Sequence, residues 1–168
     1  QVAPAITKKT AAKLEAAGET IVVEDITDGD KLEIAEHIYR TLRGSDNLVF
    51  ANARSSVEIY ADLLRRRSEA DRVADEFFPH HGSLSKDARE DVELMLNDRT
   101  RPATAVCTST LEMGIDIGTV TSVAQVGPPP SVASLRQRLG RSGRRDEPAV
   151  MRMYVTEPEL DPRSSPVD

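Results

Sequence analysis

The sequence is poor in cysteine and has no long apolar run, and both absences narrow the class of protein. It holds a single cysteine, Cys107, which excludes an internal disulfide, provides no metal-ligand cluster and is typical of a reducing compartment. No apolar run approaches the roughly 18 residues that a membrane span requires. We therefore expect a soluble, cytoplasmic chain with no membrane contact and no metal site, in which Cys107 is a small buried side chain.

The sequence also lacks an initiator methionine and a secretory signal. It begins at Gln1, and we expect it to be a segment of a larger protein. Its 168 residues are enough for one full-sized domain and too few for two. We expect residues 1–19 to be a linker or N-terminal extension, residues 20–156 to form the domain, and the proline-rich residues 157–168 to be a C-terminal linker.

The net charge is unevenly distributed. A formal charge of -6 argues against a general nucleic-acid-binding surface, because phosphate affinity comes mostly from clustered Lys and Arg. Residues 136–145 nevertheless contain five arginines, which repel one another unless an anion lies among them, and guanidinium groups suit phosphate oxygens. The sequence predicts a local anion site on an acidic domain, with Arg141 and Arg144 as its contacts.

Short apolar runs alternate with amphipathic segments along the chain. Strands are predicted at residues 20–25, 47–52, 77–80, 103–107, 122–126 and 149–155. Helices are predicted between them, with the first over residues 30–42 and the last over residues 131–139. This alternation predicts an α/β fold with a mainly parallel sheet and helices on both faces.

Local signals predict how the helices begin and which faces they bury. Asp30 is expected to cap the first helix and Gly44 to end it, Ser55 and Glu58 are expected to form a capping box, and Ser85 is expected to cap the third helix. The expected buried residues are Leu32, Ala35, Ile38 and Leu42 in the first helix, Val57, Tyr60, Ala61 and Leu64 in the second, and Ala88, Val92 and Met95 in the third.

Four polar loops connect these elements, at residues 52–54, 80–83, 108–116 and 136–145. Ligands of open α/β sheets bind beyond the carboxyl ends of the strands. We therefore expect all four loops to lie at that edge of the sheet.

The four loops resemble motifs of superfamily 2 helicases. CTSTLEMGIDIG at residues 107–118 and QRLGRSGRR at residues 137–145 resemble motifs V and VI. NLVFANAR at residues 47–54 resembles motif IV, and HHGSLS at residues 80–85 resembles the histidine-glycine motif. The wording of residues 125–145 is most similar to the large-helicase-related (Lhr-like) branch. The resemblance covers about residues 20–155.

This resemblance implies the second RecA-like domain of an ATP-dependent helicase, a three-layer domain that works opposite a first RecA-like domain of the same polypeptide. ATP and Mg²⁺ are then held mainly by that first domain. The sequence has no GxxxxGK[ST] phosphate loop and no DExH-type magnesium carboxylates. We therefore expect this fragment to be inactive alone.

The resemblance also implies roles for individual residues. Arg141 and Arg144 match arginine fingers, which stabilise charge on the γ-phosphate, and Gly140 with Gly143 is expected to turn the backbone so that both point the same way. ATP-binding or interdomain positions are Gln137, Arg138, Gly114 and Asp116. Nucleic-acid-binding positions are Asn52, Arg54, His81, Gly82, Ser83, Thr108 and Ser109.

The implied partner is single-stranded DNA, moved with the family's usual 3′ to 5′ polarity. Contacts to the backbone predict little base specificity. A DEAD-box-type RNA helicase domain is one alternative, although its motif VI typically begins with His and this one begins with Gln137. A catalytically idle interaction module, whose arginines dock a partner's acidic residues, is the other alternative.

Overall fold

The computed structural model of the chain describes residues 21–98, 100–112, 117–142 and 149–156. The two predicted linkers, residues 1–19 and 157–168, lie outside the described residues. So do four positions that the sequence singled out, Gly114, Asp116, Gly143 and Arg144.

The described residues form six strands in one sheet. These are β1 (Ile21–Gly29), β2 (Asn47–Phe50), β3 (Phe77–His80), β4 (Thr104–Cys107), β5 (Ser122–Val126) and β6 (Ala149–Thr156). Their spatial order is β1-β6-β5-β2-β4-β3, and each pairing between described neighbours is parallel. The predicted parallel α/β sheet is confirmed.

Four helices supply crossovers between these parallel strands. They are α1 (Lys31–Leu42), α2 (Arg54–Ala70), α3 (Lys86–Asn97) and α4 (Val132–Leu139), while a 3-10 helix (Ser109–Leu111) follows β4. Parallel strands cannot be joined by tight turns, so each helix starts near the end of one strand and returns to the start of the next.

The strands β2, β4 and β5 are buried on both faces of the sheet. On one face α1 and α2 cover Val49, Val106 and Ala124 with Ile38, Leu42, Val57 and Leu64. On the other, here named the α3/α4 face, Leu48, Phe50, Ala105 and Val123 pack with Val92, Leu96, Leu135 and Leu139. Complete burial of one such aliphatic side chain contributes about 1.5–3 kcal/mol, so both faces stabilise the central strands.

The central strands are aligned, and this alignment brings their carboxyl ends to one level. Phe50 at the end of β2 lies opposite Cys107 of β4 and Gln125 of β5, and His80 at the end of β3 also lies opposite Cys107. We call the side of the domain formed by the loops after β2, β3, β4 and β5 the carboxyl edge.

Most of the predicted helix signals are confirmed. The Asp30 carboxylate accepts from the Glu33 amide at 3.0 Å, and the Ser85 hydroxyl accepts from the Ala88 amide at 3.1 Å. Gly44 follows α1 with φ of +87°, a conformation that favours glycine. All four residues expected on the inner face of α2 are buried or nearly so.

Three local predictions are wrong. Leu32 is 65% exposed, because it lies in the first turn of α1 and the buried face runs instead through Ile34, Ile38 and Leu42. No capping box forms at α2. The helix begins at Arg54, one residue before Ser55, and its N-cap residue is Ala53, whose side chain makes no capping hydrogen bond. In α3, Met95 is 39% exposed and Leu96 takes the inner position.

Candidate functional site

Three of the predicted loops meet at the carboxyl edge. The Ala51 amide donates to the Cys107 carbonyl at 2.8 Å, and the Thr108 amide donates to the His80 carbonyl at 3.2 Å. These bonds hold together the chain segments that follow β2, β3 and β4. The side chains of Asn52, Arg54, Ser83 and Ser109 are exposed there, Gly82 is exposed, and Thr108 is half-buried.

Arg54 and Ser83 join two of these loops directly. Arg54 opens α2, and its guanidinium donates a hydrogen bond to the Ser83 hydroxyl in the loop after β3. At Gly82, a Cβ atom would meet no other atom within 4 Å. The backbone here is thus open to solvent, with a cation and a hydroxyl beside it.

His81 supports this loop from inside the domain. It is 4% exposed, its Nε2 lies 2.6 Å from a Glu58 carboxylate oxygen, and its Nδ1 accepts from the Ser83 amide at 3.2 Å. Since Nδ1 accepts, Nε2 carries the hydrogen and donates to Glu58. His81 is therefore buried and orients Ser83, and the nucleic-acid contact that the motif implies for it stays a prediction.

His80 fastens the 3-10 helix to β3. The Thr110 hydroxyl donates to the His80 carbonyl at 3.3 Å, and His80 Nδ1 lies 2.7 Å from the same hydroxyl, within hydrogen-bond distance. Burial, reinforced by the charge of Arg89, lowers the pKa of His80 to about 4. The imidazole is neutral at physiological pH and holds Thr108 and Ser109 in place through the helix that they begin.

The arginine segment is residues 137–145, and its described part, residues 137–142, lies away from the carboxyl edge. Ser131 caps α4 by accepting from the Ser134 amide at 3.0 Å, and the helix runs back across the sheet. Beyond its end, Ser142 pairs with Val120, donates from its hydroxyl to the Thr121 carbonyl and accepts from the Val150 amide, both at 3.1 Å.

These contacts anchor Ser142 beside the amino ends of β5 and β6. For residues 136–142, which the structure describes, the predicted position at the carboxyl edge is wrong, because a crossover helix that leaves the end of β5 must finish near the start of β6. The described part of the arginine segment, residues 137–142, lies over the α3/α4 face.

Of the two arginine-finger candidates, Arg141 lies within the described residues, and it is half-buried. Its Nε donates to the backbone carbonyl of Glu112 at 3.3 Å. The expected glycine turn is not found at Gly140, whose φ of -62° is a helical value that any residue adopts. Gln137 is exposed on α4.

Arg138 is an interior residue, only 1% exposed. Its guanidinium lies 4.6 Å from the Phe50 ring centroid, 3.4 Å from a Glu112 carboxylate oxygen, and donates to the Gln125 side-chain carbonyl. The residue implied to contact ATP or the other domain is thus packed against the sheet. It acts on its neighbours through these contacts.

Gln125 and Glu112 were not selected from the sequence. Gln125 interrupts the apolar strand SVAQV and is fully buried, and Glu112 lies within motif V and is 8% exposed. A polar side chain inside an apolar strand needs a hydrogen-bond partner. That signal identifies Gln125 from sequence, but its partner, thirteen residues away, is visible only in the fold.

The remaining described residues were searched for a reactive cysteine, a metal site and a membrane span. Cys107 is buried and burial raises the pKa of its thiol, which confirms the prediction of a small buried filler. In residues 21–98, 100–112, 117–142 and 149–156, no group of three or more His, Cys, Asp or Glu side chains is arranged to hold a metal. No helix in these ranges is long and apolar enough to span a membrane.

Residues 30–146 match the family described as helicase conserved C-terminal domain. The chain is 37% identical over 128 residues to the ATP-dependent helicase Lhr-Core of Saccharolobus solfataricus, covering 72% of this chain and 14% of the relative. It is 35% identical over 143 residues to Lhr-Core protein 2 of Thermococcus barophilus, covering 82% and 16%. The chain therefore spans only a small part of these relatives.

Solved structures show the same fold. The Mycobacterium smegmatis helicase Lhr, bound to single-stranded DNA and AMP-PNP, matches with a TM-score of 0.69 and 31% identity over 82% of this chain and 19% of that one. The helicase MrfA bound to DNA matches with a TM-score of 0.70 and 25% identity over 82% and 20%. These similarities confirm the predicted RecA-like domain.

Proposed function

The chain belongs to the helicase conserved C-terminal domain family of superfamily 2, in its Lhr-like branch, and on this premise we propose that it is the second motor domain of an ATP-dependent DNA helicase. One observation carries the proposal: exposed hydroxyls, an exposed arginine and open backbone lie at the carboxyl edge, while the described part of the arginine segment, residues 137–142, lies over the α3/α4 face. A motor domain needs both surfaces, one for the strand and one for ATP held by the first RecA-like domain.

The carboxyl edge is the proposed single-strand track. Exposed hydroxyls at Ser83 and Ser109, the Thr108 side chain and the open backbone at Gly82 suit phosphate oxygens, and Arg54 supplies a cation. Asn52, in the loop after β2, is exposed at the same edge. Groups of this kind bind the backbone and not the base edges, so we expect little sequence preference.

The arginine segment is the proposed ATP-facing surface. Arg141 and Arg144 would stabilise negative charge on the γ-phosphate, and Gln137, Gly114 and Asp116 would contribute to the nucleotide side of the interdomain cleft. ATP and Mg²⁺ supply the phosphoryl-transfer chemistry when bound, mainly through the first RecA-like domain. The Arg141 Nε bond to the Glu112 carbonyl supports this role, because it fixes the direction of the guanidinium.

Closure of the two domains would then bring Arg141 to the γ-phosphate, and reopening would move the carboxyl edge along the strand. Since the chain has no phosphate loop or magnesium carboxylates of its own, hydrolysis requires both domains. We expect the family's 3′ to 5′ polarity in the full-length protein.

The test is ATP hydrolysis by the full-length protein with single-stranded DNA or RNA of equal length and sequence. We expect stimulation by DNA, and no hydrolysis by the isolated 168-residue chain. Stimulation by RNA alone would contradict the DNA assignment and favour the DEAD-box-type alternative. A hydrolysis rate that neither DNA nor RNA changes would contradict the motor proposal. ATP turnover by the isolated chain would contradict the dependence of hydrolysis on the first RecA-like domain.

A further inference from the structure

A line of hydrogen bonds crosses the α3/α4 face from α4 to the carboxyl edge. Arg138 donates to the side-chain carbonyl of Gln125. Gln125 Nε2 lies 3.4 Å from Asn52 Oδ1, and Asn52 Nδ2 donates to the Pro128 carbonyl. We call Arg138, Gln125 and Asn52 the polar relay. It joins the helix that carries the arginine segment to an exposed residue beside the proposed strand track.

Two of the three relay residues lie in the core of the domain, and only Asn52 is exposed. Arg138 and Gln125 are 1% and 0% exposed, and Phe50 lies under the guanidinium at the end of β2, two residues before Asn52. Hydrogen bonds in such a water-excluded setting are strengthened, and losing one leaves a costly buried polar atom. A change in the position of one relay residue therefore shifts the residue that is hydrogen-bonded to it.

The chemistry of Gln125 suits a link between two partners. Its amide offers a carbonyl to Arg138 and an N–H to Asn52, and its Nε2 also donates to the Val126 carbonyl at 3.2 Å. Rotating the amide by half a turn would lose all of these bonds. One orientation of Gln125 thus specifies both the Arg138 position and the Asn52 orientation.

A second branch ties the relay to the finger candidate. Glu112 receives Arg138 on its carboxylate and Arg141 on its backbone carbonyl. A movement of Arg141 towards a nucleotide would therefore displace Glu112 and change the Arg138–Glu112 distance. The branch places both arginines and the loop after β4 on one connected set of bonds.

We infer that the polar relay couples the nucleotide side of the domain to the strand side, with Gln125 as the positioning residue at its centre. The inference rests on the proposed function, since it assigns a coupling path to that motor. Gln125 contacts neither ligand. It transmits the state of Arg138 and Arg141 to Asn52, so that ATP binding and strand binding strengthen one another.

The sharpest variant is Gln125→Glu in the full-length protein. A carboxylate of nearly the same shape still accepts from Arg138, and more strongly because it is charged, but it cannot donate to Asn52. Gln125→Leu removes both links. Ser122→Ala is the matched control, because Ser122 lies buried on the same strand and donates to Asn47 at 2.6 Å, away from the relay.

The readout is the ratio of single-stranded DNA Kd values measured without and with a non-hydrolysable ATP analogue, together with kcat and KM for ATP. We expect Gln125→Glu and Gln125→Leu to reduce this ratio by about fivefold or more, towards one, with the KM for ATP measured without DNA within about twofold of the wild type. Ser122→Ala should lower the melting temperature and leave the ratio unchanged.

The outcomes separate the inference from the proposed function. If the wild type couples ATP and DNA binding but both Gln125 variants keep its ratio, the relay is contradicted and the motor stands. A wild type with no coupling overturns both. If Ser122→Ala also reduces the ratio of Kd values, by an amount that matches its fall in melting temperature, general destabilisation explains the Gln125 effect. That result also overturns the relay.

Discussion

The guanidinium of Arg138 lies 3.4 Å from the carboxylate of Glu112 inside the domain, with only 2% and 9% of the two side chains exposed. The pair joins motif VI to motif V beneath the surface. Motif VI therefore combines two roles that its sequence does not distinguish: Arg138 holds the domain together, whereas Arg141 lies nearer the surface as the finger candidate.

Loss of this buried pair is the first prediction. Arg138→Met would leave the Glu112 carboxylate and the Gln125 carbonyl without their cation, and we expect unfolding free energy to fall by about 3–5 kcal/mol. Chemical denaturation of the chain measures it. A matched change at Arg65, whose ion pairs lie on the exposed side of α2, should have little effect.

Replacing both partners, as Arg138→Met with Glu112→Leu, should recover much of the lost stability because no charge is then buried alone. A single Arg138→Met variant as stable as the wild type would contradict the structural role of this arginine.

Stability at acidic pH depends on His80. Its folded pKa of about 4 lies below the ordinary value of 6.5, so the unfolded chain takes up a proton first as the pH falls. The neutral form's contribution is complete above pH 6.5 and is lost progressively down to about pH 4. We expect His80 to account for about 2 kcal/mol of the stability lost between pH 7.5 and 5.

The measurement is urea unfolding of the wild type and His80→Gln at both pH values. The variant should lose that much less stability on acidification. His37→Gln is the control, since His37 is a half-buried histidine on α1, and it should keep the wild-type difference. Equal pH dependence in the wild type and His80→Gln would mean that His80 is not the group responsible.

The sheet and most of its boundaries were predictable because their signals are local. The strand over residues 122–126 and the strand over residues 77–80 have the predicted limits, since apolar runs between turn residues leave little choice. The expected burial of Leu32 is wrong because helical periodicity alone does not determine whether the first turn of a helix contacts the sheet. The burial of Leu96 in place of Met95 is likewise decided by packing across the sheet.

The candidate site was predicted as a set of residues and not as an arrangement. Sequence spacing brings Asn52, Gly82 and Thr108 to the ends of strands, and the fold does gather them. The position of residues 136–142 depends on the direction of α4. The burial of Arg138 and His81 depends on Gln125, Glu112 and Glu58, partners that are distant in sequence or in another motif.

Strand binding should depend on Arg54. If this guanidinium contacts a backbone phosphate, Arg54→Ala in the full-length protein weakens single-stranded DNA binding several-fold and lowers the salt dependence of log Kd by about 0.7. Fluorescence anisotropy at several salt concentrations measures both quantities.

Arg66→Ala is the matched control for this effect, because Arg66 lies on the same helix and pairs with Asp62 on its exposed side. A wild-type salt dependence in Arg54→Ala, or an equal loss in Arg66→Ala, would exclude a specific phosphate contact at Arg54.

Measuring kcat of full-length Arg141→Ala with saturating single-stranded DNA tests whether this domain supplies an arginine to the hydrolysis of ATP held by the first RecA-like domain. Arg40→Ala, a change at an exposed arginine on α1, should keep the wild-type rate. For Arg141→Ala we expect kcat to fall about 10³-fold or more, with the nucleotide Kd nearly unchanged. A kcat within tenfold of the wild type, with ATP still bound, would contradict it.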